Sequence, residues 1–367
     1  MSVPELCLGF VLLAVTAYDL FQSVVLPRPA VRKFQLARYL IRPMWLAWRW
    51  INLRGSRIER SEARLALFGP LGLLVLFAIW GFSLIVGYGL IIDAVRDEFR
   101  PHLNDFLTSF YVSATTLVPL AYGDFVPEEG LARAVIFFES ASGVGIAALA
   151  ITLLFELYGS FREREEKVVA LDALAGAPAS ALQLLETAAA PGMDGALKET
   201  FDEWRAWSAM VLESHLAYPL LIYFRSSHDN EAWINSFGAV MDAGALVISS
   251  MEGQPSAGAA KLMLTIGNHF VEDIAWLLRF QQTPDPIIER SEYAAAIERL
   301  KAAGYQAHDG DAHWQKFAAI RSKYATTLNQ IAQLLSAPPA PWVGDRSYLP
   351  HRQRQRRRRA VAPKPAS

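Results

Sequence analysis

The sequence predicts an all-α membrane protein, with three membrane helices followed by a helical region outside the bilayer. Three apolar stretches of membrane-spanning length fall in the first 160 of 367 residues. Beyond them, apolar and charged residues alternate at helical spacing. Lys and Arg number 35 against 36 Asp and Glu, and Cys7 is the only cysteine. This composition excludes a cysteine-rich metal site, a disulfide framework and a global attraction to nucleic acid.

The central span is the most apolar of the three. Residues 65–92 form a stretch of 28 without a charged side chain, whereas about 20 residues cross a hydrocarbon core of about 30 Å. The spans at 6–27 and 134–155 each contain one acidic residue, Asp19 and Glu139. A carboxyl group at that depth must face protein or water. We therefore expect Asp19 to contact a polar group on another helix.

A fourth apolar stretch does not read as a span. Residues 106–123 include 18 uncharged residues, but they are rich in Ser and Thr and are interrupted by Pro119. Non-helical backbone survives at membrane depth only where protein buries it or where it lines water. This stretch is therefore predicted to enter the membrane and return to the same side.

Loop charges predict the orientation. Residues 28–64 contain ten basic and two acidic residues, whereas residues 93–131 contain two basic and seven acidic ones. Basic loops remain in the cytoplasm. We expect a multi-pass protein of the cell inner (plasma) membrane with its N-terminus outside and its C-terminal region in the cytoplasm.

The basic loop contains a further element. Aromatic and basic residues alternate there at the spacing of a helix that lies in the headgroup layer. This pattern predicts an amphipathic elbow, an anchor or alternatively a lipid sensor, with these residues: Trp45, Trp48, Trp50, Arg38, Arg42 and Arg49.

The re-entrant stretch carries a recognisable motif. Residues 110–117 are aromatic and rich in hydroxyls, and they are followed shortly by Tyr122, Gly123 and Asp124. This segment resembles the pore helix and selectivity filter of potassium channels, in the bacterial form with two transmembrane helices and one pore loop. The resemblance extends over residues 65–159, in which an outer helix, pore helix, filter and inner helix follow in the family's order.

The resemblance implies a homotetramer around one pore, with no catalytic residue, no metal site and no cofactor apart from permeant K⁺ or another monovalent cation. It implies a pore helix containing Phe110, Tyr111 and Ser113. It places Glu128 and Glu129 at the outer mouth. The implied filter comprises Thr116, Pro119, Leu120, Ala121, Tyr122, Gly123 and Asp124.

Elementary electrostatics agrees with this interpretation. The C-terminal end of a short helix carries roughly half a negative charge, which favours a cation at the pore axis. The carbonyl groups of an extended loop after that helix can replace the water around the ion.

Two filter positions depart from the family, whose usual sequence is Thr-Val-Gly-Tyr-Gly. Pro119 lacks both the threonine hydroxyl and the amide hydrogen. Ala121 replaces a glycine of positive φ, which costs roughly 1–2 kcal/mol per subunit and roughly 4–8 kcal/mol over four. We expect weakened potassium selectivity or little conduction.

The inner helix contains further candidates for gating. Glu139 matches a position at which relatives carry an acid behind the filter, and it is either structural or a gating proton site. Gly143 and Gly145 are compatible with a hinge and equally with close packing. No span carries basic residues at every third position, so we expect no voltage sensor.

The C-terminal region is predicted to contain five or six helices, separated at 191–192, 228–230, 253–258, 284–286 and 307–311. An apolar stripe from Trp314 to Leu335 predicts one long helix. No ligand-binding sheet is predicted. Metal-capable side chains follow no known spacing, so capping and core roles are favoured: His215, His228, Asp229, His269, Glu272 and Asp273.

The predicted organisation has five parts. These are an N-terminal transmembrane helix (1–30), a cytoplasmic amphipathic elbow (31–62), a pore domain (63–160), a helical cytoplasmic domain (161–336) and a Pro-rich, polybasic tail (337–367). We expect the tail and the basic loop to bind anionic headgroups. Two alternatives to a cation channel stay open: a non-conducting pore-derived sensor or scaffold whose cytoplasmic helices recruit a partner, and, more remotely, a membrane-anchored metallohydrolase.

Overall fold

The structure is a computed structural model, and it describes residues 2–26, 36–53, 63–120, 122–226, 232–281 and 283–337. Several predictions fall outside these residues. They concern Ala121, His228, Asp229, the basic tail, most of the charges of the basic loop and the side chain of Arg38.

The described chain is almost entirely helical. The first five helices are α1 (Val3–Leu20), continued by a π-helical turn over Phe21–Val25, α2 (Leu36–Leu53), α3 (Phe68–Ala94), α4 (Phe106–Leu117) and α5 (Gly130–Ala175). The later ones are α6 (Ala181–Ala188), α7 (Ala196–Ala217), α8 (Trp233–Ser250), α9 (Ala257–Leu278), α10 (Arg290–Ala302), α11 (Asp311–Arg321) and α12 (Ala325–Leu335). Short 3₁₀ helices cover Arg96–Glu98 and Pro219–Tyr223.

The chain divides into two compact units. The first, here called the membrane unit, comprises Met1–Gly159 and Ala217–Phe224. The second, the C-terminal unit, comprises Ser160–Leu216 and Arg225–Ser367.

Three stretches of helix are long and apolar enough to cross a membrane, and they are Val3–Val24, Ala63–Ala94 and Gly130–Ala175. They coincide with the three predicted spans. By contrast, α4 has 12 residues and, at 1.5 Å per residue, a length of about 18 Å, which is too short to cross. The all-α membrane fold with an extra N-terminal helix is confirmed.

The extra helix α1 packs on α3. The indole Nε1 of Trp80 donates a buried hydrogen bond of 2.7 Å to Asp19 Oδ2. The expected polar contact between Asp19 and another helix is therefore confirmed. This contact removes the carboxyl group from lipid, where an uncompensated charge is costly.

The predicted amphipathic helix forms as α2, but one of its aromatic residues has a different role. Trp45 is fully buried, with its ring centroid 5.1 Å from that of Phe68 and 5.7 Å from that of Tyr223. Trp45 therefore packs inside the membrane unit and does not face headgroups. Trp50 is 56% exposed, as an interfacial residue would be.

A small two-stranded β-sheet, here called the β-hairpin although α4 lies between its strands, joins the end of α3 and the start of α5. Strand β1 (Phe99–Arg100) pairs with β2 (Val126–Pro127) in antiparallel register. Glu98 Oε2 accepts from the amide of Ala132 at 2.8 Å, in the first turn of α5. The hairpin brings together the two ends of the segment that contains α4 and the candidate filter.

The C-terminal unit is built around α8. Almost every residue of α8 is buried, and α6, α9, α11 and α12 pack against it. Its sequence has no Lys, Arg or Glu and one acid, Asp242, which is fully buried. A helix that is apolar on all sides is a core helix.

The prediction of one helix from Trp314 to Leu335 is wrong. The helix ends at Arg321, and a second one begins at Ala325. Arg321 and Tyr324 both reach the Asp242 carboxylate, at 2.8 and 2.7 Å. Because the side chains on both sides of the break point inward, the apolar stripe continues through it.

The region after residue 161 contains more helices than the five or six predicted. Seven helices begin there among the described residues. The additional breaks lie at 176–180, where Gly176 and Pro178 were not singled out as a break, and at 322–324, which contains neither glycine nor proline. No strand occurs in the described part of this region, apart from an isolated bridge between Met251 and Ala307.

Candidate functional site

The candidate site is the end of α4 and the loop that follows it. The helix is capped by Asp105, whose Oδ1 accepts from the Thr108 amide at 2.8 Å and from the Thr108 hydroxyl at 2.9 Å. The Thr108 backbone hydrogen bond lowers the pKa of Asp105, so this cap is ionised at the helix N-terminus, where negative charge is favourable. Ser109 donates to Asp93 Oδ1 at 3.0 Å, which ties α4 to the end of α3.

Hydrogen bonds of the buried Ser113 hydroxyl attach α4 to both α3 and α5. The Ser113 hydroxyl lies 2.8 Å from the carbonyl oxygen of Ile85 in α3, and it also hydrogen-bonds Glu139 Oε1 in α5. Ser113 and Glu139 are both fully buried. The other oxygen of Glu139, Oε2, has no hydrogen-bond partner among the residues that the structure describes. The predicted pore helix is thus held between the two spanning helices.

Behind the end of α4, the α5 backbone approaches very closely. A side chain at Gly143 would collide with the carbonyl oxygen of Leu117. At the preceding residue of α5, Ser142 Oγ lies 2.8 Å from the Tyr88 hydroxyl of α3. Of the two explanations open for Gly143, this contact supports close packing. A Cβ at Gly145 would meet no described atom within 4 Å, so no packing contact of the described residues accounts for that glycine.

The helix gives way to an exposed loop. Val118 has extended φ and ψ of −92° and 97°, and the Leu120 amide donates to Thr115 O at 3.0 Å. Val118, Leu120 and Tyr122 are 53%, 48% and 66% exposed. Pro119 is also exposed, whereas Thr116 is half-buried in the last turn of the helix.

The far end of the loop returns to α4. Gly123 has a φ of +72°, in the region that favours glycine. Asp124 Oδ2 then accepts from the Tyr111 hydroxyl at 2.9 Å. Phe110, the neighbour of Tyr111, packs on Phe82 of α3 with ring centroids 6.0 Å apart. The loop is therefore attached at both of its ends to the same short helix.

Acidic residues surround this end of the site. Asp124 and Glu129 are exposed, and Glu128 is half exposed. Glu128 Oε2 lies 3.2 Å from Arg100 Nε, so its charge is partly neutralised. The two predicted outer-mouth acids therefore differ in their surroundings, because Glu128 forms an ion pair with Arg100 of strand β1.

Sequence reasoning missed the supports of the site. The Asp105 cap, the bond between Ser109 and Asp93 and the bond between Tyr88 and Ser142 were not singled out. Only the first has a sequence signal, because an Asp three residues before a Thr at the start of an apolar run is typical of a helix N-cap.

The candidate metal ligands that the structure describes in the C-terminal unit do not converge on one site. His215 is buried with its Nε2 3.3 Å from Arg164 Nη1, and burial, followed by the Arg164 charge, lowers the pKa of His215 well below 6.5. His269 instead pairs with Asp273 at 3.3 Å on the surface. In the described part of the chain, no three His, Cys, Asp or Glu side chains are grouped in a way that could hold a metal.

Comparison with known proteins locates a relationship in the same segment. Residues 73–159 match the model of a family described as an ion channel. The match begins within α3 and includes α4, the loop and the span of α5, and it covers 87 of the 367 residues. The comparisons with curated proteins and with solved structures found no match. The family match confirms the resemblance to a two-helix, potassium-channel-like pore module.

Proposed function

We propose that the protein is a subunit of a cation channel of the potassium-channel type. Four copies surround one pore and allow passive transport of monovalent cations, potassium among them. One observation carries this proposal. The helix α4 has 12 residues, is too short to cross the membrane and continues into an exposed loop, and both lie inside the segment that matches the ion channel family.

The geometry of the loop supports cation binding. The C-terminal end of α4 carries its partial negative charge next to Val118 and Pro119. The extended backbone that follows supplies carbonyl oxygens, which are the groups that replace an ion's water in filters of this class. The acids at 124, 128 and 129 raise the local cation concentration at one end of the loop.

Exposure within one chain supports assembly. In the most apolar 18-residue stretch of α5 only 11% of the residues are buried, whereas in that of α3 the share is 44%. Large side chains on α5, such as Phe137, Phe138 and Phe155, are 63–73% exposed. A helix that lines a pore and contacts neighbouring subunits needs such faces, and the non-helical loop needs cover from protein or water at that depth. A homotetramer of cyclic symmetry supplies both.

Two residues set the expected selectivity. Pro119 offers neither a hydroxyl to the innermost ion site nor an amide hydrogen, and Ala121 has a Cβ where the family uses glycine. The proposed channel therefore discriminates K⁺ from Na⁺ less than its relatives do.

The membrane contacts follow from charge and exposure. We place the N-terminus outside and the C-terminal unit in the cytoplasm, on the basis of the loop charges. Helix α2 has an exposed apolar face that includes Tyr39, Leu46 and Trp50. This face suits the acyl boundary beneath anionic headgroups, which also attract the basic tail.

A second candidate function is a pore-derived sensor or scaffold that does not conduct. The altered positions 119 and 121 favour it, as does a C-terminal unit with its own buried core. In this role the C-terminal helices would recruit a partner.

A recording of ion currents separates the two functions. Purified protein is reconstituted, and single-channel currents are recorded under a K⁺/Na⁺ gradient. The channel predicts unitary cation currents that protein-free bilayers lack. Tetrameric protein that carries no current would instead support the sensor.

A further inference from the structure

A short segment from late in the chain belongs to the membrane unit. Ala217–Phe224, here called the 217–224 segment, packs there although the chain on both sides belongs to the C-terminal unit. Its last five residues are at most 5% exposed: Leu220, Leu221, Ile222, Tyr223 and Phe224. Burial of five large apolar side chains fixes the segment firmly in place.

The segment packs against the beginning of α3 and against α2. The ring of Tyr223 lies with its centroid 5.7 Å from both Trp45 of α2 and Phe68 of α3. The ring of Phe224 lies on the backbone of Gly69, where a Cβ would be 2.7 Å from Phe224 Cδ2. One turn further along α3, a Cβ at Gly72 would meet Leu220 Cδ1 at 3.4 Å.

The same segment also contacts the inner helix. The Phe224 ring meets Tyr158 of α5 edge to face, with centroids 5.9 Å apart and an interplanar angle of 89°. Tyr158 lies at the end of the segment that matches the ion channel family. The Phe224 ring thus contacts Gly69 of α3 and Tyr158 of α5.

Residues of the C-terminal unit hold both ends of the segment. His215, two residues before Ala217, is 1% exposed and lies against Arg164. Directly after the segment, Arg225 Nη1 donates to the carbonyl oxygens of Leu335 and Ser336 at 3.0 and 3.3 Å. A rearrangement of α7 or α12 must therefore pull on the 217–224 segment.

We propose that the 217–224 segment transmits conformational changes of the C-terminal unit to the pore, by holding α5 at Tyr158 against α3. The proposal rests on the proposed channel function and names its regulation. In the pore module α3 is the outer helix and α5 the inner one. In the proposed tetramer the inner helices surround the pore and the outer helices lie behind them, so a contact that holds Tyr158 against Gly69 holds the inner helix back from the pore axis. The segment in its observed position therefore favours a wider pore, and displacing it lowers ion flux.

Gly69→Ala tests the proposal because its new Cβ occupies the place of the Phe224 ring. Gly81→Ala is the matched control, since the same change in the same helix meets no described atom within 4 Å. Both full-length proteins are reconstituted, and thallium flux is compared with wild type. We expect Gly69→Ala to lower flux at least about tenfold, which corresponds to about 1.4 kcal/mol, and Gly81→Ala to match wild type.

A second variant and a proximity measurement complete the test. Phe224→Ala removes the ring without adding volume and should lower flux as well. In a Cys7→Ser background, cysteines at positions 72 and 220 should be joined by a short bifunctional thiol reagent, and adding Gly69→Ala should abolish this cross-link. Size-exclusion elution as an intact oligomer shows that each variant is folded.

The outcomes separate the coupling from the function on which it rests. Absence of flux in wild type overturns the channel, and the coupling with it. Wild-type flux that persists unchanged after the cross-link is lost, or in folded Phe224→Ala, overturns the coupling alone.

Discussion

At the scale of single residues, the packing behind the candidate filter depends on one missing side chain. The carbonyl oxygen of Leu117 lies where a Cβ of residue 143 would be. The end of α4, and with it the start of the loop, is therefore positioned by backbone contact with α5. Gly145, two residues away, has no such contact among the described residues.

This difference predicts unequal effects of the same substitution. Gly143→Ala should destabilise the assembly by about 1–3 kcal/mol per subunit and reduce flux, because overpacking displaces the end of α4. Gly145→Ala should be nearly neutral, or stabilising by up to about 1 kcal/mol, because alanine favours the helix. Thermal unfolding of the reconstituted proteins measures both. Equal losses would mean that helix flexibility, and not packing at Gly143, is what matters.

A second prediction at this scale concerns ion selectivity. Pro119→Thr combined with Ala121→Gly should increase the preference for K⁺ over Na⁺, because it returns a hydroxyl and a glycine to the filter. The control, Pro119→Ala with Ala121→Gly, supplies the glycine but no hydroxyl and should give a smaller change. Reversal potentials under bi-ionic conditions measure the preference. If the threonine variant keeps the wild-type reversal potential, the assignment of residues 119–123 to the filter is wrong.

At the scale of helices, the sequence predicted those elements whose signal is local. The three spans follow from hydropathy, and Pro119 with the hydroxyl residues before it predicted that the fourth apolar stretch is not a span, in agreement with the 12 residues of α4. The break between α11 and α12 has no local signal, since it depends on Asp242 in another helix. The 217–224 segment is too short for a span, and its partner Gly69 lies about 150 residues earlier. Such long-range contacts do not show in periodicity.

The buried cluster of Asp242, Arg321 and Tyr324, which lies at the break between α11 and α12, also allows a test of helix packing. Arg321→Met leaves the fully buried Asp242 carboxylate without its ion-pair partner and should cost about 3–5 kcal/mol. Arg299→Met, the control, removes a pair with Glu186 in which the two side chains are 48% and 32% exposed, and it should cost about 1 kcal/mol or less. Denaturant unfolding of the full chain in detergent, followed by tryptophan fluorescence, compares them. Similar losses of unfolding free energy in the two variants would show that burial of the Asp242 carboxylate does not determine the cost of removing its partner.

At the scale of the whole molecule, the C-terminal unit should be sensitive to acid. Burial, followed by the Arg164 charge, lowers the pKa of His215 well below 6.5. Below about pH 6.5 the unfolded chain binds a proton that the folded chain excludes. The stability contribution of this group is therefore complete above pH 6.5 and is lost as the pH falls below it, by at most about 1.4 kcal/mol per pH unit.

Melting temperatures of the full chain at pH 7.5, 6.5 and 5.5 measure this effect. His215→Gln should flatten the decline between pH 6.5 and 5.5, whereas His269→Gln, a change at an exposed histidine, should leave it as in wild type. If His215→Gln declines as steeply as wild type, other groups cause the acid sensitivity.

The proposed channel depends on one topological claim, namely that the chain enters the membrane at α4 and leaves on the same side. Labelling of single cysteines with a membrane-impermeant thiol reagent tests it most directly. Three full-length variants in a Cys7→Ser background carry Cys at position 97, 122 or 167. We predict that position 122 reacts from the same side as position 97 and from the side opposite to position 167. Reaction of position 122 from the side of position 167 would contradict the re-entrant loop and the pore built on it.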